Sequence, residues 1–174
     1  MRAISSGKPE VNDYPFTTRG LLLGHIVLGC SEITCQVIDT PGMLSLQMSD
    51  GGMNSLERLT LASIAHLEHA VIVFVFDASL TAGRSSFLRT QIELHRSLRA
   101  HFGNRLWLDV QTKADVPAET LSDEDHELLN ALPADRLIIS PRTGLNMEHF
   151  RLRLYDLLRK AHAGTHGPAS GAAA

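Results

Sequence analysis

Ile33-Thr34-Cys35-Gln36-Val37-Ile38-Asp39-Thr40-Pro41-Gly42 is an apolar run closed by D-T-P-G, the sequence with which a phosphate-sensing loop leaves the end of a strand. The chemistry needs both ends of that tetrapeptide. A carboxylate at the strand end holds Mg²⁺, usually through a water. A glycine just beyond it brings its backbone N–H to a terminal phosphate, because no Cβ blocks the approach. Four residues alone also describe an ordinary turn, so their companions decide the reading.

The companions stand in order. Upstream, Asp13-Tyr14-Pro15-Phe16-Thr17-Thr18-Arg19-Gly20 sets two threonines before the next strand, and one hydroxyl would complete the Mg²⁺ shell. Downstream, Thr112-Lys113-Ala114-Asp115 follows an apolar strand expected over residues 105–110. Asp115 would accept two N–H bonds from the guanine edge, a charge-assisted contact that adenine cannot make, while the Lys113 stem covers the base. Ser140-Pro141-Arg142 then leaves the last strand where it can close over the base. Each motif lies at the carboxyl end of an expected strand or in the loop before one, the edge at which open parallel sheets bind ligands. The ordered set points to a guanine-nucleotide fold.

Residues 8–18, K-P-E-V-N-D-Y-P-F-T-T, resemble the switch I segment of the Obg/Nog GTPases. Gly24-His25, Val37-Ile38-Asp39-Thr40-Pro41-Gly42-Met43-Leu44 and the helical stretch 53–67 resemble the Nog branch in particular. The likeness covers residues 4–159 and is strongest before Asp77. It implies an α/β, Ras-like P-loop GTPase domain of three α/β/α layers, with a mostly parallel sheet and one antiparallel hairpin. By motif, Phe16, Thr17, Thr18, Arg19 and Gly20 would form the switch I contact, with Thr18 and Asp39 on Mg²⁺. Asp39, Thr40, Pro41 and Gly42 would sense the γ-phosphate. Thr112, Lys113, Ala114 and Asp115, with Ser140, Pro141 and Arg142, would hold guanine. The resemblance further implies GTP/GDP with Mg²⁺ as ligands, and pre-ribosomal large subunits, both rRNA and ribosomal proteins, as partners. The expected home is intracellular, the nucleolus or mitochondrion ahead of a bacterial-type cytosol.

The departures weigh as much. Ser6-Gly7-Lys8 tempts one to see a phosphate loop, yet Pro9 stands where a Ser or Thr must bind Mg²⁺, and Arg2 where the first glycine belongs. That stretch is expected to end the first helix. The G-x-x-x-x-G-K-S loop and the central strand feeding it would precede Met1, so the expectation is a partial G domain over residues 1–162 that keeps the second to fifth motifs. A fragment of a longer protein is favoured over a degenerate relative. Without the N–H cradle and lysine that carry most phosphate affinity, the chain alone is expected to bind GTP weakly and to be inactive. Pro141 lacks the N–H that the family's S-A-K loop offers guanine O6, and Thr112 replaces an asparagine, though its hydroxyl can make one such bond. Met43 stands where Ras-like enzymes carry a water-orienting glutamine, so slow hydrolysis is expected of the full protein. The alternative is a nucleotide-free scaffold in ribosome assembly.

Composition fits one domain. With 44% hydrophobic and 20% charged residues in 174, the chain can bury a substantial core. A net charge of −3 gives no general reason for nonspecific RNA binding, and neither DNA nor a membrane is an expected partner. The pattern predicts a hairpin of residues 20–28 and 33–40, a buried strand over 71–77 and a helix over 85–102 with Phe87, Leu94, Leu98 and Phe102 as its stripe. A short helix over 122–132 capped by Ser122 follows, then a strand over 136–140. The last helix starts at Asn146, with Met147, Phe150, Leu154, Leu157 and Leu158 inward. Residues 163–174 are low in complexity and expected to be disordered.

Other chemistries are weaker. Cys30, Cys35 and His25 lie near one turn but lack a fourth ligand at zinc spacing, so reduced structural thiols are expected. His66 and His69, with Glu68 between them, read as surface residues on adjacent turns of one helix. Asp77 is expected to cap the loop after its strand. Ser79 and Ser85 have no His–Asp relay.

Overall fold

A computed structural model describes residues 3–6, 22–28, 33–40, 55–79, 85–116 and 122–165. β1 (Leu22–Val27) and β2 (Thr34–Asp39) pair antiparallel, with Leu22 opposite Asp39 and Val27 opposite Thr34. Period-two alternation sets the inner face: Gly24, Ile26 and Leu28 are buried, and Leu23, His25 and Val27 are exposed. After α1 (Ser55–His66) come β3 (Val71–Asp77), α2 (Ser85–Phe102), β4 (Leu106–Thr112), α3 (Asp123–Asn130), β5 (Leu137–Ile138) and α4 (Met147–Thr165). β3, β4 and β5 form a parallel sheet in that order. The molecule is α/β, a parallel three-stranded sheet plus an antiparallel hairpin.

Two layers of side chains flank the parallel sheet. On one face Leu108, Val110 and Ile139 meet Met147, Phe150 and Leu154 of α4, and Ile26 and Leu28 of the hairpin join the same cluster. On the other, Phe76 packs with Leu88 and Ile92 of α2 and Leu128 of α3. Burying these side chains supplies the main stabilisation, about 1.5–3 kcal/mol each. Among the described residues β2 and β3 do not pair, and there are two sheets.

β3 and α2 lie where the pattern puts them. β4 extends two residues past 110, because Gln111 and Thr112 continue the ladder opposite Phe76 and Asp77. The α2 stripe needs correction. Its buried line is Leu88, Ile92, Leu94, His95 and Leu98, whereas Phe102 is only half-buried, and the Phe87 side chain lies outside the described residues. Ser122 caps α3 as expected, with a reciprocal bond between its backbone N–H and the Asp125 carboxylate. α4 continues to Thr165, past the start of the stretch read as tail at residue 163. His69 is also corrected: α1 stops at His66, and His69 sits in the turn before β3. Arg105 fixes that turn by donating to Leu67 O (3.0 Å) and Ala65 O (3.2 Å).

Candidate guanine edge at the carboxyl ends of the strands

The ends of β3, β4 and β5 converge on one edge. Asp77 and Thr112 are partners in the parallel register, so the loop beginning at Lys113 leaves beside the end of β3. Lys113 takes a positive φ of 59°. This turns the chain sharply enough for Ala114 N–H to donate to Ile139 O (3.2 Å) and Val116 N–H to Lys113 O (3.0 Å). The T-K-A-D loop is thereby stitched to the last strand.

Asp115 is the centre. Its side chain is nearly buried, and both carboxylate oxygens are engaged: Ser140 Oγ donates to one and Arg142 Nε, at 2.6 Å, to the other. Those hydrogen bonds, with the guanidinium charge, hold the carboxyl below the ordinary carboxylate range. Ser140 is fully buried and is itself fixed, since Thr143 N–H donates to its Oγ (3.2 Å) and Gly144 N–H to its carbonyl (2.9 Å). Gly144 has φ 81°, the left-handed region that glycine enters without strain, and this closes the turn that returns Leu145 O to Ser140 N–H at 3.1 Å. Asn146 Nδ2 donates to Ile138 O (2.8 Å) and starts α4. Pro141 and Arg142 stand exposed at the tip.

Lys113 reaches the other way. Its Nζ donates to Asp77 Oδ2 at 2.6 Å, and Asp77 Oδ1 accepts from the Ser79 hydroxyl (2.6 Å) and backbone N–H (3.1 Å). Burial pushes the Asp77 carboxyl up, but the Lys113 and Ser79 bonds and the lysine charge outweigh it and leave it lowered. The loop-capping role expected of Asp77 is present. Its pairing with Lys113 was not foreseen, because the two lie 36 positions apart in sequence.

Asp39 ends β2, with Thr40 just beyond it, and Asp39 is half-buried. Burial pushes its carboxyl above the ordinary value. Phe16, Thr17, Thr18, Arg19, Gly20, Pro41 and Gly42 lie outside the described residues, as does Cys30. Cys35 pairs with Ile26 and packs on the core as a free thiol raised by burial, whereas His25 is opposite Gln36 and exposed. The two therefore face opposite sides of the hairpin, which removes the metal reading for that pair.

One charged cluster was missed altogether. Asp109, with a side chain 2% exposed, lies 3.0 Å from His95 Nε2 and accepts from Arg99 Nη2 at 2.7 Å. The Arg99 guanidinium lies over Trp107, 4.4 Å from the ring centre. Burial pushes Asp109 up, and its His95 and Arg99 partners more than reverse this. A polar residue in the middle of L-W-L-D-V was the available signal: in a strand covered on both faces, a carboxylate must find a cation.

A profile of the family described as Nucleolar GTP-binding protein 1 (NOG1) matches residues 55–115, from α1 through the T-K-A-D loop. Nucleolar GTP-binding protein 1 of Arabidopsis thaliana is 31% identical over 138 residues, 79% of this chain and 20% of that protein. The Saccharomyces cerevisiae protein of that name is 32% identical over 133 residues, 76% of this chain and 20% of its own. That of Caenorhabditis elegans is 35% identical over 116 residues, 63% and 16% respectively. The chain is a Nog-type relative, spanning about a fifth of the length of the curated proteins it matches.

Proposed function

We propose that this chain is the guanine-reading part of a GTP-binding switch of the Nog type. The observation that carries it is Asp115: a nearly buried carboxylate at the strand edge, aimed by a buried serine from the loop after β5. In this reading guanine N1–H and N2–H displace Arg142 from Asp115, and Arg142 then covers the base. Lys113, anchored on Asp77, lays its stem along the other face. Thr18 and Asp39 hold Mg²⁺, which would neutralise phosphate charge. In the whole protein, the γ-phosphate orders the segments around Thr18 and Gly42 into a partner surface, and slow hydrolysis releases it. The relatives' names support a nucleolar home. Large-subunit assembly is the partner system that the resemblance favours.

The test is a titration of fluorescent GTP with Mg²⁺ into the chain as it stands and into a version carrying a strand and phosphate loop fused before Met1. Tight binding by the extended form, and only weak, millimolar binding by the chain alone, is expected. Asp115→Asn in the extended form should lose guanine and gain xanthine, whose C2 carbonyl accepts from the new amide. No binding by either form would favour the second reading, a nucleotide-free scaffold. The internal pairing of Asp115 with Arg142 and of Lys113 with Asp77 is the observation on its side.

A further inference from the structure

The base edge that Asp115 would take carries N2–H, N1–H and O6, and a carboxylate, which only accepts, can satisfy the two N–H groups but not the oxygen. O6 lies next to N1, so it arrives at the loop of residues 140–144, which already engages both carboxylate oxygens. The backbone there has little to give it. Ser140 N–H donates to Leu145 O, Thr143 N–H to Ser140 Oγ and Gly144 N–H to Ser140 O, while Ala114 N–H donates to Ile139 O. Pro141, exposed at the tip, has no N–H. Lys113 Nζ is taken by Asp77. Arg142 is placed differently. Its side chain is 76% exposed, its Nε alone lies on Asp115 Oδ2, and among the described residues its two Nη groups meet no acceptor.

We propose that the Arg142 guanidinium reads guanine O6, supplying the donor that Pro141 cannot. This rests on the guanine reading above and adds the third group of the base edge to it. Arg142 Nε occupies a carboxylate oxygen that a guanine N–H would claim, so the arriving base displaces it beside that oxygen. Its methylene stem then lies over the base, and the guanidinium at its end meets the acceptor next to the N–H that displaced it. The group suits that task, being planar, permanently charged and equipped with five N–H donors. Arginine on guanine O6 is also the commonest base-specific contact in nucleic-acid recognition, and adenine offers an amino donor at the same position. Arg142 therefore rejects adenine at C6 as Asp115 rejects it at N1. The site takes purines that combine an N1–H with a strong acceptor at C6.

The test is a ratio of affinities, because Arg142→Ala also frees Asp115 and removes a positive charge, and both changes act alike on two nucleotides of equal charge. Guanosine monophosphate is compared with 6-thioguanosine monophosphate, which keeps both N–H donors and replaces O6 by sulfur, a weak acceptor. Each is titrated into the full labelled chain and into Arg142→Ala, following the amide resonances of residues 113–116. The full chain should prefer the guanine nucleotide about tenfold, and the variant should lose that preference, with a ratio near one. Arg142 is exposed, and unchanged resonances in β3 and β4 report that the variant keeps its fold. Equal binding of the two nucleotides by the full chain overturns the proposal, since O6 would then be unread. A preference that survives Arg142→Ala also overturns it and assigns O6 to another donor. In both cases, selection of guanosine over adenosine monophosphate that Asp115→Asn abolishes leaves the guanine reading standing. No binding of guanosine monophosphate at all overturns the two together.

Discussion

The β4–β5 edge and the β2–β3 side of the molecule solve the same problem differently. At the first, two described carboxylates have partners within the chain, Asp115 with Ser140 and Arg142 and Asp77 with Lys113 and Ser79, and farther back in β4 Asp109 has His95 and Arg99. At the second, Asp39 is raised by burial and two strand edges lack a paired neighbour among the described residues. The Asp115 side is fixed by its own internal pairs, whereas on the hairpin side the Asp39 carboxyl is held up by burial.

The largest effect should come from removing the buried carboxylate in the middle of β4. Asp109→Ala leaves the buried His95 ring without its carboxylate partner while Arg99, more than a third exposed, can turn to water, and the chain should lose about 3 kcal/mol of stability in urea unfolding. A loss well under 1 kcal/mol, on the order of a surface pair, would mean that this half is not held by its charges. Ser140→Ala is the next step down. It removes a donor to Asp115 and the acceptor of Thr143 N–H, so about 1–3 kcal/mol should go, with faster exchange in residues 140–145. Gly144→Ala, at φ 81°, should cost about 1–2 kcal/mol through left-handed strain alone, since nothing lies within 4 Å of the added methyl.

The smallest effect is the sharpest contrast, because the two halves carry opposite signs. Asp77, Asp109 and Asp115 are lowered on folding, so their stabilisation is full above the unfolded carboxyl value of about 3.9 and is lost as pH falls through their folded values. Asp39 is raised, so its ionisation costs stability at neutral pH, and the penalty disappears as pH drops through its folded value toward the unfolded one. Asp39→Asn should therefore raise the melting temperature slightly at pH 7 and do nothing below about pH 3, whereas Asp77→Asn should lower it at pH 7 and lose its effect in acid. Thermal melts across that range decide it; shifts of the same sign would erase the distinction between the halves.

What could be read from sequence divides along similar lines. The alternation around Ile26 and Leu28, the unbroken V-I-V-F-V-F run and the Ser122 cap are local patterns, and the chain folds as they dictate. Motif spacing also put Asp115 and Ser140 on one edge before any coordinates. The pairs that meet only in space were hidden: Lys113 with Asp77, and Asp109 with His95 and Arg99. His95 also misled the reading of α2, because a polar ring on the buried line breaks a stripe judged by hydropathy. The ring lies among Phe74, Phe76 and Trp107, with its nitrogen on Asp109, an arrangement that sheet register creates and periodicity cannot express. The end of α4 was also misjudged: a composition of small residues was taken for a tail from residue 163, where the helix runs on to Thr165.

The central claim is that the loop edge around Asp115 reads guanine, and the chain as it stands can test it. Guanosine monophosphate and adenosine monophosphate, each at millimolar concentration, would be titrated into labelled chain while the amide resonances of residues 113–116 and 140–145 are recorded. Saturable shifts with the guanine nucleotide alone, absent in Asp115→Asn, are the predicted result. Equal shifts with both nucleotides, or none with either, would contradict it.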